Sequence, residues 1–156
     1  MMVFLAGCHK DVSQILDGGV RNTDLDGRII ILSEKTPKAD EIMFNLPERC
    51  YQIINDYREM NGLKPLKWSP ALEECAEIRA REAENYWSHT RPNGKEWYTV
   101  NPSIMHGENL AMGYTSAENI VNSWIDSPAH NELLLAYDFN YIAIAQCGGY
   151  YACEFG

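Results

Sequence analysis

The stretch over residues 140–155 limits the folds open to this chain more than any other. Asn140-Tyr141-Ile142-Ala143-Ile144-Ala145-Gln146 has the apolar density of a core strand, and Gly148-Gly149 supplies a turn. Tyr150-Tyr151-Ala152-Cys153-Glu154-Phe155 then returns antiparallel, its residues alternating across two faces. A lone hairpin is marginal in water, so the segments before it must supply the remaining layers.

Those segments read as helices. The first starts near Leu46-Pro47, with proline in the first turn, and ends at Asn61-Gly62. Tyr51, Ile54, Tyr57 and the aliphatic stem of Arg58 recur along it at helical spacing. Residues 63–68 form an extended connector. Ser69 caps a second helix with Pro70 at its first position, and Leu72, Cys75, Ala76, Arg79, Ala80 and Ala83 mark its inner stripe. A third helix starts near Thr115, where Thr115-Ser116-Ala117-Glu118 is a capping-box pattern, and buries Ile120, Val121 and Trp124. Pro128 opens a further turn carrying His130, Leu133, Leu134 and Leu135. Helices mixed with a few antiparallel strands make the fold class α+β, not a doubly wound sheet.

At 156 residues the chain has room for one domain with a real core. That domain is expected over residues 46–156, after a leader or linker over residues 1–45 in which residues 28–32 form a short strand. The net charge of −9 disfavours both sequence-independent nucleic-acid binding and docking on an anionic membrane. No apolar run approaches the roughly 18 residues of a membrane span. Leu5-Ala6-Gly7-Cys8 resembles the end of a bacterial lipoprotein signal, with Cys8 as the lipidated residue, but it lacks a basic region before it. A signal remnant and a chance apolar start both remain open. The other cysteines are Cys50, Cys75, Cys147 and Cys153. Their number suits an oxidising compartment. Cys147 and Cys153 have the spacing for a cross-strand disulfide; Cys50 and Cys75 pair or stay thiols. Neither pair has metal-site spacing.

Four islands carry the chemistry-bearing residues: Trp87-Ser88-His89-Thr90-Arg91-Pro92-Asn93-Gly94, Gly107-Glu108-Asn109-Leu110-Ala111, Ser123-Trp124-Ile125-Asp126-Ser127-Pro128-Ala129-His130, and the tyrosine-rich last strand. Taken singly, His89 and His130 read as surface histidines. Glu108, in a run otherwise small or apolar, needs partners, because an unpaired buried charge is costly. Two imidazoles and a carboxylate also make a ligand set for a divalent transition metal, or an acid–base group.

In order and spacing these islands resemble the CAP family, which includes cysteine-rich secretory proteins, insect venom antigens, plant pathogenesis-related proteins and many bacterial SCP-domain proteins. The resemblance covers residues 46–156 and implies a three-layer α-β-α sandwich with a central, mostly antiparallel sheet. His89 matches the family's first histidine, Glu108 the acid of its Gly-Glu-Asn-Leu motif, and His130 its second histidine. In some members that cleft holds a divalent cation such as zinc. The family's second acid falls on Ser127, with Asp126 adjacent, so a three-ligand site completed by water is expected. His106 is an additional candidate whose expected place is a loop. Asn109 and Trp124 are expected to be structural, Asn109 by holding the Glu108 loop.

The resemblance thus implies an exported, monomeric domain that acts by binding a protein, glycan or lipid, with any membrane attachment through Cys8. Its rivals are a peptidase-like, metal-dependent hydrolase using the same cleft, a lipid or sterol carrier, and a module whose site residues only bond one another. The chain has no Gly-x-Ser-x-Gly elbow and no His-Glu-x-x-His helix, so no catalytic residue is assigned.

Overall fold

The computed structural model describes residues 21–23, 29–31 and 46–156. The chain forms two units, Met1–Asp40 and Glu41–Gly156. In the first, β1 (Arg21–Thr23) pairs antiparallel with β2 (Ile29–Ile31), Arg21 standing opposite Ile31. Cys8 and the signal-like start lie outside the described residues.

The second unit runs α1 (Leu46–Met60), β3 (Lys67–Trp68), α2 (Pro70–Asn85), a 3-10 turn (Trp97–Val100), β4 (Gly107–Met112), α3 (Ala117–Ile125), α4 (Pro128–Leu134), β5 (Tyr141–Cys147) and β6 (Tyr150–Phe155). The strands form one sheet in the order β3-β5-β6-β4. Only the short β3–β5 pairing is parallel. The β5–β6 hairpin turns on Gly148, whose φ of 55° lies where a side chain would be strained. The central, mostly antiparallel sheet between helical layers is the architecture expected.

Alternation along the strands sorts the core into two layers. Ile142, Ile144, Tyr151, Cys153 and Phe155 face one side, where Leu46, Cys50 and Ile54 of α1, Ile120, Val121 and Trp124 of α3 and Leu134 of α4 cover them. On the other side Ala76 and Ala80 of α2 pack on Leu110, Ala145 and Ala152, and Leu72 and Cys75 pack on Ala143 and Met105. Small side chains on both partners let α2 settle close to the sheet, so a long side chain on its inner stripe is driven between the layers.

Four details differ from expectation. The Gly-Glu-Asn-Leu segment is a strand, β4, rather than a loop. The cap of α3 is Ser116, whose side chain accepts from the Asn119 N–H, while Glu118 pairs with Arg49 of α1 at 3.0 Å. Arg58 buries its head as well as its stem: Nε donates to the Lys64 carbonyl, and Nη1 to those of Leu134 and Ala136 at 2.8 Å each. A cation there satisfies carbonyls at the C-terminal end of α4. Lastly, Cys50, Cys75, Cys147 and Cys153 form no disulfide with one another. Cys147 stands opposite Tyr150, three residues from Cys153, so the two sulfurs point to opposite faces of the sheet. Cys50 and Cys75 are likewise divided between the two layers.

Candidate functional site

The site is built around β4, at one edge of the sheet. Glu108 points to the α2 side, where Arg79 meets it with a fully buried guanidinium. Arg79 Nε donates to Glu108 Oε2 at 2.6 Å, and Nη2 donates to Oε1 at 3.2 Å. Nη1 donates to Glu82 at 2.6 Å, and Nη2 also donates to the Ser88 carbonyl at 2.8 Å. One side chain thus ties helix, strand and the His89 segment together. Glu82 also accepts from Arg91 at 2.7 Å. Burial pushes the Glu82 carboxyl up, but the hydrogen bonds from Arg91 and Arg79 more than reverse this and hold it below the usual range.

His89 follows α2, and its Nδ1 lies 2.7 Å from Glu108 Oε1. Arg79 donates to both Glu108 oxygens, which marks that carboxylate as the acceptor and His89 Nδ1 as the donor. The ring itself is half-exposed, at 53%. On the opposite face of β4, Asn109 Nδ2 donates to the His130 carbonyl at 3.1 Å and Trp124 Nε1 donates to the Leu110 carbonyl at 3.0 Å. These bonds tether α3 and α4 to the strand that carries Glu108. Asn109 is therefore structural as expected, although its partner is distant in sequence. The two imidazoles, delivered from opposite faces, stand 6.5 Å apart between ring centroids, inclined at 45°. Burial, with a smaller contribution from the His89 charge, lowers the His130 pKa and favours the neutral ring. His130 Nδ1 and Asn109 Oδ1 are buried with no partner among the described residues.

Gly107 explains the start of the motif. A Cβ there would stand 3.0 Å from Phe139 Cζ and 3.2 Å from Leu133 Cδ2. Its absence lets the loop after α4 close on β4.

The structure bonds His89 to Glu108 and stands His130 6.5 Å from His89, but among the described residues the three do not converge as one metal-holding group. It leaves Asp126 exposed at the end of α3 and places Ser127 as the cap of α4. His106 lines a separate cavity of about 390 Å³ with Ser69, Leu72, Asp138 and Tyr141, among others. Two buried site residues escaped the sequence reading: Arg79, whose polar head in a stripe of small residues was the available signal, and Glu154, which stands directly opposite Glu108 in the β4–β6 ladder. Glu154 is fully buried. Burial, then the Glu108 charge, pushes its carboxyl well above the usual range.

The sequence pattern of the cysteine-rich secretory protein family, CAP, matches residues 51–155. The chain belongs to that family. Among curated relatives, this CAP chain is similar to the uncharacterized protein YkwD of Bacillus subtilis (strain 168), 26% identical over 116 residues, or 70% of this chain and 45% of YkwD. It is also similar to the uncharacterized membrane protein YlbC of the same organism, 23% identical over 128 residues, or 76% of this chain and 36% of YlbC. It spans less than half the length of either. Among solved structures, an extracellular protein containing a SCP domain from Bacillus anthracis has a TM-score of 0.66 at 20% identity, over 83% of this chain and 46% of that one. An outer surface protein from Borrelia burgdorferi has a TM-score of 0.61 at 24% identity, over 70% of this chain and 90% of that one. These structures share the CAP fold.

Proposed function

We propose that this CAP chain is an exported binding protein whose His89–His130 pair holds a divalent cation of the zinc class and presents it, or the cleft around it, to a protein, glycan or lipid ligand. The observation that carries the reading is the bond from His89 Nδ1 to Glu108 Oε1 at 2.7 Å. A histidine whose one nitrogen donates to a carboxylate offers the lone pair of the other to a metal.

The residues present offer such an ion an imidazole pair that must close to hold it. A tetrahedral ion about 2.1 Å from one nitrogen of each ring sets the centroids roughly 5.3 Å apart, and they stand 6.5 Å apart here, so binding draws the half-exposed His89 ring toward His130. His130 contributes a ring kept neutral by burial, with Nδ1 lacking a partner among the described residues. Glu108 contributes as the orienting acceptor for His89, because Arg79 already engages both of its oxygens. Among the described residues no three His, Cys, Asp or Glu side chains converge as a ready-made cage; an ion held by the two imidazoles alone would leave positions for water or ligand. Bound there, the ion supplies a Lewis-acid centre for an oxygen or nitrogen ligand.

Export rests on the neighbours, an extracellular protein and an outer surface protein. No helix among the described residues is long and apolar enough to cross a membrane. Fractionation of the native host tests this, and acyl labelling lost on Cys8→Ser tests the lipid anchor.

Calorimetric titration of the full chain with zinc tests the site. One saturable event, absent in the His89→Ala/His130→Ala double variant, is the expected result. Equal heats in both proteins would remove the metal from the proposal. Turnover of a peptide or ester panel by the zinc-loaded protein, lost in His89→Ala, would instead place it among the hydrolases.

A further inference from the structure

Glu154 has no part in the imidazole pair, yet it lies across the ladder from Glu108 and is wholly buried. No donor among the described residues reaches either of its oxygens. An ionised carboxylate in that place would leave a charge unsatisfied beside Ala143 and Ala152, in the layer under α2. It would also stand next to a second carboxylate, with the Arg79 fork already committed to that neighbour. Two adjacent carboxyl groups facing one such cation settle as one anion and one neutral acid. The fork identifies Glu108 as the anion. A neutral Glu154 has an O–H to give, and Glu108 stands directly opposite it in the ladder, on the same face of the sheet.

Glu108 then becomes a closed shell. A carboxylate offers about four lone-pair positions. Arg79 fills two and His89 Nδ1 fills one. The fourth is open to the O–H of a neutral Glu154 across the ladder. We propose that Glu154 is a positioning residue of the cleft: as a neutral acid it donates to Glu108, completes the shell begun by Arg79, and so holds Oε1 where it fixes His89 with Nδ1 protonated and Nε2 left for a ligand. This role rests on the reading of the imidazole pair given above, and it makes Glu108 an orienting group with no lone pair to spare for a cation.

The test uses full-length protein labelled with nitrogen-15 in histidine, as wild type, Glu154→Gln and Glu154→Met. Glutamine keeps a neutral donor of nearly the same shape, whereas methionine keeps the volume and loses the donor. Long-range proton–nitrogen spectra near neutral pH report the His89 tautomer without any metal. Wild type and Glu154→Gln are expected to show the Nδ1–H form alone. Glu154→Met is expected to show a mixture of tautomers and about tenfold weaker zinc binding, the size of effect seen for outer-shell partners. A Met variant with the wild-type tautomer, or a Gln variant as disturbed as the Met variant, would overturn the proposal. If Glu154→Met does not fold, infrared difference spectra of wild type against Glu154→Gln decide. The carbonyl stretch of a protonated carboxyl must be present in wild type and lost in the variant, and its absence from wild type overturns the proposal. The expected tautomers without zinc binding would sink the metal reading alone and leave the positioning role standing.

Discussion

Arg79 is the side chain on which the site depends. It is fully buried and serves Glu108, Glu82 and the Ser88 carbonyl at once. Arg79→Met would strand Glu108 as a buried charge, so a loss of about 3–5 kcal/mol in urea unfolding is expected. Arg79→Lys is expected to recover only a small part of that loss, because an ammonium lacks the planar fork. Glu154 adds a pH signature. Its folded pKa lies above the free value of 4.5, so folded protein keeps a proton that unfolded protein releases. Its contribution to stability is therefore complete below that value and is lost as pH rises toward the folded pKa. Glutamine does not titrate, so the Tm of Glu154→Gln relative to wild type is expected to climb as pH is raised from 4.5, read by thermal scans at several pH values. That Glu108 needs a partner was legible from its small, apolar neighbours. That the partner is Arg79 was not, because 29 residues separate the two and only the packing of α2 on β4 joins them.

Helix boundaries followed local chemistry. Ser69 accepts from the Leu72 N–H and Pro70 opens α2. Loss of this cap in Ser69→Ala is expected to cost about 1 kcal/mol, measured by chemical denaturation. The α3 cap moved one residue, from Thr115 to Ser116, because Glu118 reaches out to Arg49 rather than back to the cap. Strand β4 was hidden for a different reason. Five of its six residues are buried, so it lacks the in–out alternation by which a half-buried strand is read. Its first residue is the sensitive one. Gly107→Ala would drive a methyl against Phe139 and Leu133, and a loss of about 1–3 kcal/mol is expected in the same assay.

The two layers of the core also decide the fate of the cysteines. Burial raises the Cys50 thiol to about 12, and Cys153 is likewise pushed well up by burial. Thiolate is the reactive form. Alkylation of Cys50 and Cys153, followed by mass spectrometry across a urea series, is therefore expected to appear only with global unfolding; rapid labelling in native protein would contradict this packing. A disulfide between Cys147 and Cys153 looked reachable because linear spacing reports proximity along a hairpin and not the direction of a side chain. What the sequence determined alone is whatever depends on neighbours a few residues apart: the hairpin turn at Gly148-Gly149, the Ser69-Pro70 start of α2, the inner stripe of that helix, and the order of the motifs that carry His89, Glu108 and His130. Tertiary structure alone decided that two buried carboxyl groups, Glu108 and Glu154, face each other across the ladder with Arg79 committed to the first, and that two histidines from opposite faces of the sheet come within 6.5 Å of each other. Those outcomes turn on desolvation and on contacts between distant segments, which exist only once α2, β4 and β6 have packed together.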